Sequence, residues 1–599
     1  MSGIAGWVGP TKEGASDVLA PMLSAIDYRG DTNLEERGTR FGLGYRFWKG
    51  RPGKSPAIEK DGSRRVACAG TFAPPVASPA LDLLERTRGK TSAEDIAKAL
   101  GEIDGAFAFA IADEESGDLV LGRDPFGVRS LYWVEHEGRI HFASELKQLL
   151  AIPRLPVEID ASAIHKYLTF SFVPGEAVPV RGVKRLLPGH VMVVRGGKIE
   201  TAPYFTLRES IQAIELRDAV RQVRKLTRAA IERRLNGESE VGLFLSGGLD
   251  SSAVGFWLKK AGANVRALSL DFGERSVERD QAQEVAKSLE LPLEMVTVGT
   301  KDVARVFLDV VHRLDLPFGD AVTAPQYLLG EAAQKAGLIA VFNGEGGDQL
   351  FGGWTSKPMI AAAMYGDLYE HQEETDEERY LASYHRFYGL EDDLYTADFK
   401  AQVGGPGQRR AHLAPYLGDE GAGSFLNRVR LADISLKGSQ NILPRAERMS
   451  NAWGLDVRVP LFDRQLAEAS FHLPPDLKLN GACEKYVFKL SMKSRLPEDI
   501  VWRKKFGMSV PMTDFVMGPP LAEIFDDLLG EKSLKTRGWF RPELVKSLRE
   551  GKDVPGETRK RRIGERLWSL AMLEAWARMV DKRGIDERAQ RASRTEAAR

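Results

Sequence analysis

Two patterns of apolar and polar residues meet at about residue 210. Before it, short β-rich runs separated by Gly, Pro and charged clusters predict a sheet domain with a few helices. After it, apolar residues recur at helical spacing between 220 and 235. The sequence therefore predicts two domains, residues 1–205 and 210–578, and a charged, flexible tail at 579–599. The β-rich runs are 4–8, 41–48, 65–69, 107–113, 118–121, 130–133, 139–143 and 191–194.

The second domain alternates buried apolar runs with amphipathic stretches, which predicts βαβ units around a parallel sheet. Beyond residue 353 the pattern is mostly helical. Within that part, an acidic stretch and a Gly/Pro-rich stretch indicate an insertion at 355–424 that is partly surface loop. The apolar runs are 241–245, 265–270, 293–298 and 339–342, and the amphipathic stretches are 252–261, 281–289 and 326–336.

Composition narrows the class of protein. The chain has 599 residues, of which 43% are hydrophobic, and its 84 Lys and Arg balance 84 Asp and Glu. This balance disfavours bulk binding of nucleic acid, so any phosphate must be held by a local site. Cys68 and Cys483 are the only cysteines, which excludes a disulfide framework and a cysteine zinc site. No leader-like start or long apolar run is present, and we expect a cytoplasmic protein without a membrane partner.

The strongest local signal is the Leu-Ser-Gly-Gly-Leu-Asp-Ser-Ser motif at residues 245–252, between a predicted strand and a predicted helix. Glycine backbone, hydroxyl groups and a helix N-terminus together suit pyrophosphate, and Asp250 suits Mg²⁺. The motif lacks the lysine of a Walker P-loop. The alternative is a plain capped turn. The residues predicted to hold pyrophosphate and metal are Ser246, Gly247, Gly248, Asp250, Ser251 and Ser252.

A second Gly-rich motif follows another predicted strand at residues 343–353. Loops after neighbouring parallel strands meet at one sheet edge, so we expect this motif beside the first. Asp348 is predicted to share the metal with Asp250, and Glu345 to orient or deprotonate a nucleophile. The alternative is an ordinary loop with solvated acids.

These two motifs, the stretch 443–463 and Glu484-Lys485-Tyr486 resemble the synthetase domain of the asparagine synthetase B family. Residues 105–110, 122–127, 143–147 and 186–189 resemble the glutaminase half of that family. The resemblance implies an N-terminal-nucleophile αββα sandwich followed by a Rossmann-like ATP-pyrophosphatase domain. It also implies an ATP- and Mg²⁺-dependent enzyme that forms an acyl-adenylate, releases pyrophosphate and lets an amine attack.

The resemblance implies further roles for single residues. Lys485 would offset charge on the acyl-adenylate and on departing groups, although an isolated lysine is more often a solvated surface residue. Lys505, with Arg503, would lie near the phosphates, the alternative being a basic loop. The residues that the resemblance places against the nucleotide are Leu245, Leu270, Asn343 and Gly344.

The first domain departs from the family pattern. Ser2 stands where the family has its nucleophilic cysteine, and an N-terminal serine can also act as a nucleophile. Phe47 aligns with the arginine that binds the glutamine carboxylate, and Ala69 with the asparagine of the oxyanion site. Residues 78–80 lack the acidic group that would hold the glutamine amine. Because nucleophile and recognition changed together, we predict a domain without glutaminase activity.

Without internal ammonia, the amine must come with the substrate. Two branches of the family look like this, the β-lactam synthetases and the lasso-peptide macrolactam cyclases. Glu345 is the asparagine-synthetase-like residue, where the β-lactam branch has a tyrosine, so we favour a lasso cyclase with a precursor peptide and a leader peptidase as partners. Asparagine synthetase and a non-catalytic scaffold are the alternatives. Aromatic residues of the 355–424 insertion indicate either a peptide surface or a helical insertion with its own small core.

Overall fold

Two antiparallel sheets stack face to face in the N-terminal domain. The computed structural model describes residues 2–10, 18–49, 58–276, 278–353, 375–384, 386–404, 409, 411–418, 422–503, 510–552 and 561–581. The two sheets have the strand orders β10-β8-β9-β1-β3-β2 and β12-β11-β7-β6-β5-β4. Their strands are β1 (Gly3–Val8), β2 (Thr32–Arg37), β3 (Phe41–Phe47), β4 (Ile58–Asp61), β5 (Arg64–Phe72), β6 (Gly105–Asp113), β7 (Leu119–Arg123), β8 (Tyr132–His136), β9 (Arg139–Ala143), β10 (Lys184–Arg185), β11 (His190–Arg195) and β12 (Lys198–Pro203).

Alternating apolar residues hold the two sheets together. Ile4, Phe41 and Leu43 of one sheet pack on Ala67 and Ala108 of the other, and these side chains are buried. Helices cover the outer faces, with Leu19–Ser24 and Leu146–Leu150 on the first sheet and Pro79–Arg86 and Ala93–Ala99 on the second. This arrangement confirms the predicted αββα sandwich.

A five-stranded parallel sheet forms the centre of the second domain. Its order is β15-β14-β13-β16-β17, and each neighbouring pair is parallel. The prediction of a Rossmann-like parallel sheet is therefore confirmed, while the short strand β17 lies within the 443–463 stretch and was not predicted. The strands are β13 (Glu240–Phe244), β14 (Asn264–Asp271), β15 (Leu293–Thr297), β16 (Ala340–Phe342) and β17 (Asp456–Arg458), and β18 (Leu479–Asn480) and β19 (Cys483–Glu484) form a small antiparallel pair.

Helices connect these strands and fill the C-terminal half. None of the described helices is long and apolar enough to cross a bilayer. The remaining α-helices are Ala161–Phe170, Leu216–Leu235, Leu249–Lys260, Arg279–Ser288, Thr300–Leu314, Thr323–Lys335, Gly347–Phe351, Asp376–Ser383, Glu391–Leu394, Ala397–Gln402, Ala414–Leu417, Phe425–Ala432, Leu443–Asn451, Arg464–His472, Pro475–Lys478, Tyr486–Met492, Glu498–Val501, Met512–Met517, Leu521–Leu529, Glu531–Arg537, Pro542–Arg549 and Arg561–Asp581. Asp433–Ile442 is a π-helix, and Asp27–Arg29 and Gly273–Arg275 are 3₁₀ turns.

The described part of the predicted insertion packs into the main core. Tyr380 and Phe387 are buried and belong to one apolar cluster with Phe307 and Trp568, which lie on other helices of the domain. The expectation of a separate small core is therefore wrong, because these aromatic side chains cover the main core instead. They are equally unavailable as a peptide surface. Tyr384 and Tyr388 are half-buried and pack against the same cluster, whereas Trp354, Tyr365 and Tyr369 lie outside the described residues.

The C-terminal helix extends into the predicted tail. Arg561–Asp581 includes the first three residues of the range 579–599, and Val580 on this helix is buried. Those three residues are thus helical, because an apolar side chain there packs on the core. The remainder of the predicted tail lies outside the described residues.

Candidate active site

The two Gly-rich motifs lie side by side at the carboxyl edge of the parallel sheet. β13 pairs with β16, and each strand leads directly into one motif. The approach is close enough to require glycine at 344, since a Cβ there would lie 2.4 Å from the Ser251 backbone nitrogen. The second motif therefore rests against the first turn of the helix Leu249–Lys260, as the alternation of strands and helices predicted.

The first motif forms a tight turn at this helix N-terminus. Gly247 has φ +73°, a conformation that glycine adopts without strain, and Gly248 is the N-cap residue. Ser246 and Ser251 hydroxyls are 3.2 Å apart, and Ser252 Oγ donates to the Gly248 carbonyl at 2.7 Å. Backbone N–H groups and hydroxyls at the positive end of a helix form a favourable place for a phosphate anion.

A buried lysine joins the acids of both motifs. Lys485 Nζ lies 2.6 Å from Asp250 Oδ2 and 2.6 Å from Asp348 Oδ1. Its side chain is only 3% exposed, and its backbone has φ +55°, an uncommon value for a residue with a side chain. The lysine is therefore held between the two carboxylates by the turn that begins the helix Tyr486–Met492. The sequence placed Lys485 beside an acyl-adenylate, whereas the structure places its ammonium on the two predicted metal ligands.

The donor set at this point fits Mg²⁺ with phosphate. Asp250 and Asp348 converge on one cation, and a Cβ at Gly347 would lie 2.4 Å from the Asp250 carboxyl carbon, so glycine leaves room for that carboxylate. Among the described residues no group of three or more His, Cys, Asp or Glu could hold a metal. Mg²⁺ commonly takes one or two carboxylates and completes its shell with substrate phosphate and water. Two carboxylates beside a phosphate turn are consistent with that pattern.

Glu345 meets a second group of charges at the mouth of the site. Arg445 Nη2 lies 3.6 Å from Glu345 Oε1, and Arg445 Nε donates to Gln326 Oε1 at 3.0 Å. Arg445 also pairs with Asp320. Burial opposes ionisation of Asp320, but the positive charges nearby, chiefly Arg445, hold the pKa of its carboxyl below its ordinary value. The glutamate is 31% exposed and can reach a bound substrate.

A cavity of about 230 Å³ collects most of the predicted site. Four predicted residues are not part of its lining. Leu245 and Leu270 pack in the core. The Gly247 carbonyl accepts a hydrogen bond from Arg503 Nη1 at 3.1 Å, and the Ser252 hydroxyl donates to the Gly248 carbonyl. Lys505 lies outside the described residues. The predicted residues that line the cavity are Ser246, Gly248, Asp250, Ser251, Asn343, Gly344, Glu345, Asp348, Lys485 and Arg503. Their roles in binding and catalysis stay predictions.

The sequence analysis missed the polar residues Glu278, Gln281 and Lys489 of the cavity lining, and Arg445, Asp320 and Gln326 around Glu345. Arg445 lies within the 443–463 stretch that carried the family resemblance, but Glu447 and Arg448 are on the same helix, so its charge alone did not distinguish it. Asp320 and Gln326 come from the segment between β15 and β16, where nothing in the spacing of the residues distinguished them. Only the packing of their helices brings Arg445, Asp320 and Gln326 to Glu345.

A larger cavity, of about 750 Å³, lies between the two domains and has a mixed apolar and polar lining. Phe126 and Phe205 come from the N-terminal domain, and Leu431 and Gln440 from the second. None of the predicted site residues is among its described lining. The larger cavity therefore does not hold the predicted site residues, and the motifs identify the smaller cavity as the candidate active site.

The surroundings of Ser2 contrast with this site. Ser2 is buried and forms a side-chain hydrogen bond with Tyr45, whose ring stacks on Phe47 with centroids 5.4 Å apart. Burial raises the pKa of the Tyr45 hydroxyl to about 12. Arg46 directs Nε to the Gly30 carbonyl at 2.8 Å. Ala69, predicted to stand in the place of the oxyanion asparagine, is buried and offers no polar side chain.

Comparison with known sequences agrees with the family resemblance of both domains. A family model described as Asparagine synthase matches residues 222–578, and one described as Glutamine amidotransferase domain matches residues 92–205. The chain is 26% identical over 518 residues to asparagine synthetase (glutamine-hydrolyzing) 1 of Bacillus subtilis, covering 82% of this chain and 80% of that protein. It is 26% identical over 423 residues to asparagine synthetase 3 of the same organism, covering 67% of each. Amidase chry2 of Gibberella zeae is 23% identical over 525 residues, covering 76% of each.

An amidotransferase-type sandwich followed by a parallel sheet with two Gly-rich motifs defines a class of two-domain ATP-dependent carbon–nitrogen ligases. The chain belongs to the asparagine synthase family. The predicted family and fold are thereby confirmed, and the chain is an asparagine-synthetase-like amide ligase that uses ATP.

Proposed function

We propose that the enzyme adenylates a carboxylate with ATP and Mg²⁺ and joins it to an amine that the substrate itself carries. The observation that carries this proposal is the contrast between the two sites. Acids, lysine and phosphate turn are together in the cleft, whereas Ser2 is buried beside Tyr45 and Phe47. A glutamine carboxylate at Phe47 would lose a charge-assisted bidentate pair with arginine. The N-terminal domain then makes no ammonia.

In this proposal the phosphate turn and its neighbours hold ATP. The substrate carboxylate oxygen attacks the α-phosphorus, pyrophosphate leaves, and an acyl-adenylate remains. The helix N-terminus and the hydroxyls of Ser246 and Ser251 bind the pyrophosphate. Asp250 and Asp348 would hold Mg²⁺, which supplies charge neutralisation on the phosphates. Lys485 balances the same charges from its buried position between the two acids.

Glu345 acts in the second half of the reaction. The amine nitrogen attacks the acyl carbon, AMP leaves with the bonding electron pair, and the amine proton passes to the Glu345 carboxylate. Arg445 Nη2 lies 3.6 Å from Glu345 Oε1, so it helps to hold this carboxylate in place.

We propose a leader-processed peptide as the substrate, closed into a lasso macrolactam in the cytoplasm. Two considerations support it. A substrate that carries both carboxylate and amine needs no ammonia source, and ring closure within one molecule gains from proximity. Glu345 argues against the β-lactam alternative, in which a tyrosine would stand at this position. The precursor peptide and a leader peptidase would be the partners, and neither nucleic acid nor a membrane is required.

The experiment measures AMP release from ATP and Mg²⁺ with three parallel additions. These are aspartate plus glutamine, aspartate plus ammonium, and a candidate core peptide with its leader protease. We expect AMP only with the peptide, together with the loss of one water from the peptide mass. AMP with glutamine and release of glutamate would show that Ser2 is a working nucleophile and would overturn the proposal.

Asparagine synthetase is the second candidate function, favoured by the similarity to the two B. subtilis asparagine synthetases. It predicts AMP and asparagine with aspartate plus ammonium. If that result came without activity on glutamine, the proposals of ligase chemistry and of an N-terminal domain without glutaminase activity would remain. The proposed substrate would then be aspartate instead of a peptide.

A further inference from the structure

One helix of the second domain reaches both the candidate active site and the N-terminal domain. The helix Leu443–Asn451 carries Arg445, which contacts Glu345 and Gln326 in the cleft. Glu447 follows two residues later and points to another side, because two helical residues are about 200° apart around the axis. This second side faces the N-terminal domain.

Two arginines of the N-terminal domain converge on the Glu447 carboxylate. Arg29 donates from Nη1 to Oε1 at 2.7 Å and from Nη2 to Oε2 at 3.1 Å. Arg129 donates to Oε1 at 2.5 Å, and its other nitrogen donates to Asp456 on β17 at 3.1 Å. Burial raises the pKa of Glu447, but the two guanidinium groups outweigh it and lower the pKa to about 2. All four side chains are buried.

This arrangement fixes geometry as well as joining two domains. Bidentate pairs between guanidinium and carboxylate define an orientation, and a buried charge that loses its partner is strongly unfavourable. The helix thus has few alternative positions while the N-terminal domain is docked. Arg129 also pairs with Asp456 on the strand β17, which follows the helix in sequence. One side chain of the N-terminal domain therefore contacts both the helix and the next strand.

We propose that the N-terminal domain positions the Leu443–Asn451 helix through Arg29, Arg129 and Glu447, and so sets the place of Arg445 in the active site. Glu447 is then a positioning residue of the ligase reaction. The inference rests on the proposed function only for the point that this domain has no glutaminase role. It gives the domain a second role in the same enzyme.

A second buried pair between the domains provides a matched control. Arg234 Nη2 lies 3.0 Å from Asp104 Oδ2, and both side chains are 9% exposed. Arg234 belongs to the helix Leu216–Leu235, which carries none of the candidate site residues. If ion pairs between the domains matter only for stability, then Asp104→Asn and Glu447→Gln should behave alike.

The test compares these two variants in the full-length protein. ATP–pyrophosphate exchange is measured with the core peptide and with L-aspartate as probes, and binding of a fluorescent ATP analogue is measured separately. We expect Glu447→Gln to lose about a hundredfold in exchange, since a small displacement can have that effect, with nucleotide affinity within about twofold of wild type. Asp104→Asn should keep exchange within about twofold, and Arg234 keeps its second partner, Asp463, in this variant.

Hydrogen–deuterium exchange separates this inference from the identity of the substrate. In Glu447→Gln we expect faster exchange at 443–451 and at the 343–351 loop, and in Asp104→Asn exchange at these segments as in wild type. Equal exchange and equal activity loss in both variants would overturn the inference, as would wild-type behaviour of Glu447→Gln. If Glu447→Gln fails to fold, Arg129→Lys replaces it, with a smaller change in the same direction expected. If neither probe supports exchange, the proposed substrates fail while the deuterium result still decides the positioning role.

Discussion

The two domains of this chain differ in the side chains that each gathers at its predicted site. In the cleft, Lys485 is held 2.6 Å from each of Asp250 and Asp348, and Glu345 faces Arg445. At the N-terminal site, Ser2 is buried against Tyr45, whose ring stacks on Phe47. Both sites are well packed. The difference is that the cleft brings together a lysine, three acids and an arginine, whereas the groups described around Ser2 are the Tyr45 hydroxyl and the Phe47 ring that stacks on Tyr45.

This comparison separates fold from activity. The strand β1, which directly follows Ser2, pairs with β3 and β9. The N-terminal sandwich therefore forms without the glutamine-binding side chains that the sequence analysis expects to be missing. A sheet is maintained by alternating apolar residues and backbone pairing, which do not depend on the chemistry at one strand end. The difference in function that we propose for the two sites therefore depends on individual side chains, and single substitutions can test it.

The largest effect is expected from Glu345→Gln. The amide cannot accept the proton of the attacking amine, so product formation should fall about 10²- to 10⁴-fold while ATP binding remains. Product is measured by mass spectrometry and nucleotide affinity by a fluorescent analogue. The matched control is Glu331→Gln, on the helix Thr323–Lys335 but engaged with Arg305 at the surface, which should keep near wild-type turnover. Normal product formation by Glu345→Gln would exclude its proposed role.

Lys485→Met should give the next largest effect. Asp250 and Asp348 would then share a site without an ammonium, which leaves two carboxylates facing each other. We expect AMP formation to fall about 10²- to 10³-fold, since a fixed positive group near the reacting phosphates is lost. Without ATP, Mn²⁺ should bind this variant more tightly than wild type, because the cation that competes for the carboxylates is gone. Unchanged Mn²⁺ affinity would show that the ammonium does not occupy the metal position.

Acid should weaken the ion pairs that Glu447 forms between the two domains. The pKa of Glu447 is about 2 in the folded protein, where burial raises it and Arg29 and Arg129 lower it, against 4.5 for the ordinary residue. Its stabilisation is fully present above about pH 4.5 and is lost as the pH falls toward 2, because the unfolded chain takes up the proton first. The difference corresponds to about 3 kcal/mol. Denaturation midpoints of wild type and Glu447→Gln should therefore approach each other between pH 5 and about pH 3, whereas a constant gap would contradict this account.

The smallest effect is expected at Ser2. Ser2→Ala should change AMP formation by less than about twofold, since Ser2 lies in the other domain from the cleft and has no nucleophilic role in the proposal. Ser2→Cys provides the complementary variant, and it should also release no glutamate from glutamine because Phe47 and Ala69 remain. Glutamate release by wild type that disappears in Ser2→Ala would remove the contrast between the two sites.

Much of the fold followed from the pattern of residues. The β-rich runs predicted a sheet domain with a few helices, and the family resemblance implied that it is an αββα sandwich. The βαβ alternation predicted a parallel sheet with both Gly-rich motifs at one edge. The prediction was less accurate where an element is short or where its partners are distant. β17 has three residues, two of them charged, so it lacks the apolar run that marked β16. Tyr380 and Phe387 were assigned to a separate insertion although they pack into the main core.

By itself the sequence determined the family, the two domains' fold classes and the residue types of the cleft, because local periodicity and motif spacing are encoded along the chain. The tertiary structure decided which charges meet. Lys485 reaches Asp250 and Asp348 across 235 and 137 positions of sequence, and Glu447 receives Arg29 and Arg129 from another domain. Such contacts depend on how helices and sheets pack, and burial removes the water that would otherwise screen these charges, so their strength exists only in the folded protein.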